Sequence, residues 1–378
     1  MIRALSDAGY EVLGADDRRS PFGLRSRYVA RAYLQLPDQM GPEFAPALLR
    51  AIEQSRPDVV IPTRGVEAAV PARQAILEKT RALLPTGDAF EAVNDKARLL
   101  ARCEAMRIPI PRRYDAQEAA HVLASRRASC VVVKPRIDVG GGQGVHFVTD
   151  PDEIGGVCAA VSRTYGGSIV TEFVPGPVEN LVALHLLFDD DSRLIGCFSL
   201  RKLRIWPPHV GVTVAAVSTH ETDLVERFRP LFEELRWRGP AEVELKVDER
   251  DGVAKLLEIN PRFSGAIHFP ISCGVNLPVL LCRAALGERL AEVRGTEYDA
   301  GVRYIDTGRW ASAVAAELRA ARHSRRAVLT RALHEWRGRR APPVHSLSDP
   351  APILAKICLG ILPRTSGDLE QPAAPGSC

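Results

Sequence analysis

The chain has 378 residues, more than one hydrophobic core usually organises, so we expect two or three domains. Its net charge of +4 is too small to predict nucleic-acid binding, and no apolar stretch approaches the roughly 20 residues that cross a bilayer. Its eight cysteines include no CxxC pair, which argues against a disulfide framework or a zinc site and favours a cytoplasmic protein with reduced thiols.

The first 86 residues alternate between helical and strand-like patterns. The pattern predicts a helix at 2–9, a short strand at 11–15, a helix at 44–53, a buried strand at 59–62 and a helix at 67–79. This alternation is typical of a small doubly wound sheet. Because a helix comes before the first strand, we expect the opening strand of this unit to be missing.

After residue 86 the predicted elements change character. A helix at 95–106 stops at a proline-rich segment, and a buried strand at 131–133 leads into a glycine-rich loop. Strands at 242–247 and 254–259 are predicted to pair through an Asp-Gly turn. The remaining predicted elements are strands at 168–173, 182–187, 194–200 and 212–218, and helices at 224–235 and 276–286.

Two features of the central segment indicate phosphate binding. Lys134 ends the buried strand, where an ammonium group is unfavourable unless it meets an anion. The loop that follows frees its backbone N–H groups through four glycines, Gly140, Gly141, Gly142 and Gly144. The spacing matches neither a Walker A loop nor a dinucleotide fingerprint. A mobile hairpin turn is the alternative.

Oxygen-bearing side chains at two neighbouring strands indicate a metal site. Glu258 and Asn260 are two residues apart and share one strand face, and Glu244 on the paired strand can reach Glu258. Two carboxylates inside a sheet repel each other unless a cation lies between them, and such ligands suit Mg²⁺ with a nucleotide phosphate. Arg262 follows and can clamp phosphate oxygens. Two exposed carboxylates on an open sheet face are the alternative.

A third group follows the predicted strand at 168–173. Glu172, Phe173 and Val174 leave the sheet there, and such an exit can present backbone groups to an adenine edge. Glu179 comes shortly after, where a carboxylate can accept ribose hydroxyl protons. Taken singly, each glutamate is more typical of a solvated surface residue.

In this order, six motifs resemble the ATP-grasp superfamily, above all the ATP-binding domains of the carbamoyl-phosphate synthase large chain. The motifs are Asn94-Asp95-Lys96, Val133-Lys134-Pro135, the glycine loop, the 172–179 segment, Glu244 and the 258–262 segment Glu-Ile-Asn-Pro-Arg. The chain is also similar to D-alanine–D-alanine ligase and biotin carboxylase. The resemblance covers about residues 1–290.

The resemblance implies an α/β chain in which an ATP-grasp fold at 87–295 clasps ATP between two α+β subdomains. A truncated, doubly wound pre-ATP-grasp subdomain would precede it at 1–86, and an Arg-rich helical extension would follow at 296–378.

The resemblance also implies roles for the candidate residues. Two lysines would bind the ATP phosphates beneath the closed glycine loop, Lys96 and Lys134. Four residues would hold adenine and ribose, Glu172, Phe173, Val174 and Glu179. Three would ligate Mg²⁺, with Mn²⁺ as a second candidate, Glu244, Glu258 and Asn260. Arg262 would steady an acyl phosphate.

One departure concerns the position two residues before the first metal carboxylate. Some ligases carry an arginine there, whereas this chain has Glu242. A basic loop containing Arg201 and Arg204 is predicted to supply the missing charge or, with His209, to touch the acceptor. A solvated basic loop is the alternative.

The leading functional hypothesis is an ATP- and Mg²⁺-dependent ligase that joins a small-molecule carboxylate to an amine, or to a thiol, through an acyl phosphate. One alternative is a carbamoyl-phosphate-synthase-like enzyme that activates bicarbonate or carbamate. Another is an ATP-binding regulator without turnover, against which the intact set of Lys96, Lys134, Glu258 and Asn260 argues.

The composition shifts beyond residue 300. One long Arg-rich helix is predicted at 310–336, followed by a short apolar stretch at 352–362 and a frayed tail. Such a helix can lie at an anionic membrane surface, or it can pack on the body of the protein with its arginines paired to acids. Peripheral membrane contact through this extension is therefore one expectation. A homodimer is a separate one.

Overall fold

The structure is a computed structural model that describes residues 1–17, 22–34, 36–39, 41–137, 142–293, 297–320, 324–343, 348–352 and 354. Within these ranges the strands form a two-stranded, a four-stranded and a six-stranded sheet. Among the helices described there, none has both the length and the apolar character that crossing a bilayer requires.

The first part of the chain builds the two-stranded sheet, whose strands run parallel. Its elements are α1 (Ile2–Asp7), β1 (Leu13–Asp16), β2 (Arg31–Leu34), α2 (Phe44–Ser55), α3 (Val66–Ala69) and α4 (Arg73–Leu77). Within the described residues, the predicted doubly wound sheet is therefore reduced to one parallel pair.

Two predicted elements of this region are wrong. The segment at 59–62 is not a strand, because Val59 makes a single parallel bridge to Arg81 and Pro62 has no N–H with which to extend the ladder. The helix predicted at 67–79 is split into α3 and α4, since Pro71 cannot donate the helical hydrogen bond.

The next part of the chain builds the four-stranded antiparallel sheet, in the order β3-β6-β4-β5. Its elements are α5 (Gly87–Asn94), α6 (Lys96–Ala105), β3 (Arg113–Tyr114), α7 (Ala116–Ala124), β4 (Val131–Pro135), β5 (His146–Val148), α8 (Ile154–Tyr165) and β6 (Ser168–Glu172). Apolar residues of α7 and α8 pack on Val131 and Val133, which share one face of β4.

The six-stranded antiparallel sheet follows, in the order β11-β10-β7-β8-β9-β12. Its elements are β7 (Leu181–Phe188), β8 (Leu194–Trp206), β9 (Val212–Thr219), α9 (Thr222–Glu234), β10 (Gly239–Val247), β11 (Ala254–Asn260), α10 (His268–Ser272), α11 (Leu277–Ala285) and β12 (Arg303–Ile305). Phe228 and Phe232 of α9 pack with the fully buried Trp237 against this sheet. The strand β12 lies beyond the predicted boundary at residue 295 and still belongs to the sheet.

The C-terminal segment forms two helices, α12 (Thr307–Ala320) and α13 (Arg325–Glu335), so the single helix predicted at 310–336 is wrong. The rings of Trp310 and Trp336 lie 5.3 Å apart, which brings the start of α12 to the end of α13. Both helices pack on the body of the protein, as one of the two alternatives predicts, and Arg339 pairs with Asp299. Membrane contact and a homodimer stay predictions.

The turn between β10 and β11 is held by a buried ionic cluster. Asp248 is fully buried and accepts hydrogen bonds from Arg250 and, at 2.8 Å, from Lys255. The Arg250 hydrogen bond lowers the pKa of Asp248 far below its usual range against the opposing effect of burial, and Lys255 adds to the lowering. The ionised carboxylate is therefore part of the folded state.

We predict that Asp248→Asn lowers the free energy of unfolding at neutral pH by about 1.5–3 kcal/mol, the usual contribution of a hydrogen bond to a charged group. Because the folded pKa is depressed, this stability is present above the unfolded pKa and is lost as the pH falls below about 4. Urea unfolding at neutral and acidic pH measures both effects. The exposed neighbour substitution Glu249→Gln is the control, and equal stability of the two variants would contradict the prediction.

Candidate active site

Two lysines from different elements meet one carboxylate where the four-stranded and six-stranded sheets face each other. Lys134, at the end of β4, is buried and donates from Nζ to the carbonyl oxygen of Leu257 at 3.1 Å. Lys96, the first residue of α6, places Nζ 3.5 Å from Oε2 of Glu258. Burial and the charge of Lys96 lower the pKa of Lys134 to about 8, although Glu258 opposes the shift. Two ammonium groups beside one carboxylate leave positive charge for an anion.

The position of Lys96 follows from a helix cap that the sequence pattern predicts only in part. Asp95 accepts hydrogen bonds from the backbone N–H groups of Ala97 and Arg98, so α6 begins at the lysine. Arg136, just after β4, donates from Nε to both oxygens of Asp95 at 2.8 and 2.9 Å. Its carbonyl oxygen accepts from the Lys96 N–H at 2.9 Å. The two phosphate-binding candidates are therefore linked through Arg136.

The predicted carboxylate pair is confirmed as cross-strand neighbours, because Glu244 of β10 lies opposite Glu258 of β11. A third ammonium group joins them, since Nζ of Lys202 on β8 lies 2.6 Å from Oε2 of Glu244. The strand between β8 and β10 contributes Ala183 opposite Glu244, and its small side chain leaves room for the lysine to cross. Lys202 lies within the basic segment predicted from sequence, in which only Arg201 and Arg204 were singled out as candidates.

The glutamates and lysines of this cluster shift one another's pKa values, as charged groups that lie close together do. Burial raises the pKa of Glu244, and Glu242 and Glu258 add to this against the attraction of Lys202. Burial would also raise the pKa of Glu258, but Lys96 and the other two lysines outweigh it and lower the value. Burial would lower the pKa of Lys202, yet the glutamates, Glu244 first, raise it. The negative pair is thus stabilised by surrounding cations.

The donor set fits magnesium. No three histidine, cysteine, aspartate or glutamate side chains that could hold a metal ion come together in the part of the chain that the structure describes. The oxygen donors predicted from sequence are two carboxylates and one amide, from Glu244, Glu258 and Asn260. Mg²⁺ typically takes one or two carboxylates and fills its shell with waters and substrate phosphates. In this structure, the ammonium group of Lys202 lies against the Glu244 carboxylate.

Arg262 lies beside the same group. Its Nη2 donates to Oδ1 of Asn260 at 3.2 Å, and its Nη1 is 3.8 Å from Oε2 of Glu242. Glu242 is buried, and its other near neighbours are Nδ2 of Asn260 at 3.4 Å and Nε2 of His185 at 4.0 Å. Burial lowers the pKa of His185 to about 4, so its ring is neutral. Lys202 also acts on this carboxylate, because Glu242 contributes to the raised pKa of Lys202.

The predicted adenine segment has a more structural character than expected. The Glu172 side chain accepts from Lys255 at 2.7 Å and from Arg250 at 3.1 Å, within the ionic cluster of the β10–β11 turn. The ring of Phe173 lies 5.8 Å from that of Phe147 in an edge-to-face contact. The Glu172 carboxylate is therefore held in ion pairs, and Nζ of Lys246 lies 5.1 Å from the centroid of the Phe173 ring.

Two further candidates lie on the same segment. Val174 is buried. Glu179 is exposed in a short 3-10 helix, where its neighbour Asn180 donates to the carbonyl oxygen of Val247 at 2.9 Å. The ribose-binding role of Glu179 stays a prediction.

The glycine loop reaches the connection between β8 and β9. Gly140 and Gly141 lie outside the described residues, whereas Gly142 and Gly144 are described and adopt left-handed φ values of 73° and 71°. A Cβ atom on Gly142 would lie 2.3 Å from the carbonyl oxygen of Val210, which no side chain could tolerate. Glycine is therefore required for the backbone contact at this position.

The basic residues predicted to form an acceptor loop lie instead on a strand, because β8 continues to Trp206. Arg201 donates to Glu221 at 2.8 Å. Arg204 is fully buried and pairs with two glutamates of the C-terminal helices, Glu317 and Glu335. Both arginines are thus held in ion pairs, and the structure brings neither guanidinium to the carboxylate pair. The residue between them, Lys202, is the one that reaches Glu244.

The chain is similar to known proteins over different parts of its length. A family model described as "ATP-grasp in the biosynthetic pathway with Ter operon" matches residues 211–308. The carbamoyl phosphate synthase large chain of Myxococcus xanthus is 24% identical over 314 residues, which are 78% of this chain and 28% of that protein. The D-aspartate ligase of Enterococcus faecium is 29% identical over 111 residues, covering 29% of this chain and 26% of the ligase. The chain thus spans less than a third of each of these relatives.

Solved structures give the fold. The biotin carboxylase of Campylobacter jejuni matches with a TM-score of 0.61 and 15% identity, over 80% of this chain and 71% of that one. The biotin carboxylase domain of Hydrogenobacter thermophilus 2-oxoglutarate carboxylase, solved with MgADP and bicarbonate, matches with a TM-score of 0.60 and 17% identity, over 78% and 68%. The chain has the ATP-grasp fold.

We predict that Lys202→Met lowers the melting temperature in the presence of a chelator, because it leaves Glu244 and Glu258 facing each other without the nearest cation. Millimolar Mg²⁺ should then raise the melting temperature of the variant more than that of the parent chain, since a bound ion stabilises by mass action. Lys79→Met, which removes a surface ion pair with Glu53, is the control. Equal Mg²⁺-induced changes in the melting temperature of all three proteins would contradict the assignment of a metal site to these carboxylates.

Proposed function

We propose that this chain is an ATP- and Mg²⁺-dependent ligase that activates a carboxylate as an acyl phosphate and joins it to an amine. The observation that carries the proposal is the convergence of Lys96, Lys134 and Lys202 on the cross-strand pair Glu244 and Glu258. Burying three ammonium groups around two carboxylates is unfavourable for a site with only a structural role. Phosphate groups and a divalent cation would complete its charge balance.

Each residue has a task in the proposed reaction. Lys96 and Lys134 would neutralise and orient the ATP phosphates, so that an oxygen of the carboxylate substrate attacks the γ-phosphorus and ADP leaves. Mg²⁺, when held by Glu244, Glu258 and Asn260, would withdraw charge from the phosphate oxygens. The amine nitrogen then attacks the acyl carbon, which releases inorganic phosphate and a proton.

The fold fits this chemistry without fixing the substrates. One relative is named a ligase and another a synthase, and the chain covers only part of each. Bicarbonate activation is the second candidate function, favoured by the similarity to carbamoyl phosphate synthase over 78% of the chain. Phosphate release that depends on an added amine would favour the ligase, and release with bicarbonate alone would favour the alternative.

The charge beside the cluster supports an amine as the second substrate. Glu242 and Glu244 lie two residues apart on one face of β10, and Nη1 of Arg262 is 3.8 Å from the Glu242 carboxylate. Two carboxylates on one strand face attract an ammonium group. An amine that arrives protonated would therefore meet complementary charge there.

Lys134→Ala and Glu258→Gln should each lower ATP turnover at least a hundredfold, on the order of the loss from removing one electrostatic stabiliser, while the fold stays intact. The measurement is phosphate release with pooled carboxylates and amines, together with circular dichroism of each variant. Lys79→Ala serves as the surface control. Release at the parental rate from both active-site variants would refute the proposal.

Glu242→Gln should lower kcat/KM for the amine about tenfold more than it lowers the rate of hydroxamate formation with hydroxylamine, one lost charge contact being about 1.4 kcal/mol. Hydroxylamine captures acyl phosphates and is largely uncharged at neutral pH, so it needs no carboxylate partner. Glu221→Gln, which removes the partner of Arg201, is the matched control. Equal losses with both nucleophiles would exclude an ammonium-binding role for Glu242, whereas hydroxamate formation would still report carboxylate activation.

A further inference from the structure

We infer that the C-terminal helices α12 and α13 are part of the active site, because they position Lys202 through the strand residues that follow it. The inference rests on the proposed function only in treating Lys202 as a working residue of the site. It concerns a group that we call the Arg204 clamp, which consists of Arg204, Trp310, Glu317, Arg331 and Glu335.

The centre of the Arg204 clamp is a buried guanidinium. Arg204 has no exposed surface, and its Nε donates to the two oxygens of Glu335 at 3.0 and 3.1 Å. Its Nη1 donates to Glu317 of α12. The Glu335 side chain is only 2% exposed, so the pair is almost fully removed from water. An ion pair in such surroundings persists only with additional hydrogen bonds.

Those additional bonds come from both helices. The indole Nε1 of Trp310, on α12, donates to Oε2 of Glu335 at 2.5 Å. Arg331, one turn before Glu335 on α13, donates from Nη2 to the carbonyl oxygen of Leu203 at 3.1 Å. The helices therefore hold two consecutive residues of β8, one by its backbone and the next by its side chain.

The residue immediately before these two is Lys202. Its ammonium group lies 2.6 Å from Glu244, so three consecutive residues of β8 connect the carboxylate cluster to the C-terminal helices. The β8–β9 ladder is irregular at this place, with register shifts between Lys202 and Arg204 and between Arg204 and Ile205. Because β9 pairs irregularly with this part of β8, we infer that the contacts from α12 and α13 do more to fix its position.

The extension is also joined to the far edge of the same sheet. Arg303 of β12 donates from its N–H to the carbonyl oxygen of Arg339 at 2.8 Å and accepts from the N–H of Ala341 at 2.8 Å. The chain after α13 thus pairs with the edge strand like a short further strand. The C-terminal segment is therefore attached to the six-stranded sheet at two places, at β8 and at β12.

A purely stabilising role would predict a different outcome from a positioning role. If the helices only add stability, weakening the Arg204 clamp lowers the melting temperature and leaves the surroundings of Lys202 unchanged in the folded protein. If they position Lys202, weakening the clamp loosens the ammonium group from Glu244 while the protein remains folded. Lys202 is only 5% exposed, so its loosening is measurable as a gain in reactivity.

The experiment measures lysine acetylation by acetic anhydride, read by mass spectrometry, in the full chain and in Glu335→Gln. We expect acetylation of Lys202 to rise at least threefold relative to that of the equally buried Lys134, which has no contact with the clamp among those described. Glu288→Gln, which breaks the exposed pair with Arg283, is the control and should change neither rate. Unchanged Lys202 reactivity in folded Glu335→Gln would overturn the inference.

Trp310→Phe provides a second variant, because it keeps an aromatic ring and removes the indole N–H that donates to Glu335. It should raise Lys202 reactivity in the same direction if Glu335→Gln does not fold. Turnover supplies an independent readout: Glu335→Gln should lower kcat about tenfold, as loss of supporting contacts around a site commonly does, and should lower it no further in a Lys202→Met background. Equal losses in both backgrounds would overturn the inference, whereas failure of the proposed ligase activity would leave the acetylation result standing.

Discussion

The rest of the site depends on one charge balance, in which three lysines enclose a pair of glutamates at the meeting place of two sheets. The glutamates lie opposite each other on β10 and β11, and the lysines come from α6, β4 and β8. No one of these elements could hold its charged group buried alone. The fold brings the opposite charges together, and in return the charges restrict how the two sheets can approach each other.

The parts of this balance that could be predicted from sequence are those set by local pattern. The pairing of Glu244 with Glu258 follows from two β-rich runs joined by an Asp-Gly turn. Lys134 stands out because a charged residue ends a hydrophobic strand. Lys96, by contrast, is implied only by the resemblance of the motif Asn94-Asp95-Lys96, in which Asp95 proves to be a helix cap. Each signal lies within a few residues of the group it concerns, so tertiary context did not override it.

The missed parts depend on contacts between residues far apart in the chain. Lys202 lies in a run of basic residues that resembles a solvated loop, and only the length of β8 shows that alternate residues face different neighbours. The partner of Arg204 is Glu335, which is 131 residues away. Similarly, the abundance of arginine after residue 300 left open whether the predicted helix lies at a membrane surface or packs on the body of the protein, because composition cannot distinguish an exposed arginine from one that holds a buried glutamate.

Strand β8 and the connection after it contact three parts of the protein that are far apart in the sequence. Lys202 faces the carboxylates, Arg204 holds the C-terminal helices, and the connection that follows the strand meets Gly142 through Val210. A displacement of this strand would alter the carboxylate cluster, the seat of the helices and the contact of the glycine loop together, because all three are attached to one short stretch of backbone. Coupling of this kind needs only a rigid element with fixed contacts at each end. This coupling gives a reason for a buried ion pair at Arg204. An apolar pair could fill the same volume, but apolar contacts are non-directional and would fix the orientation of the strand less closely.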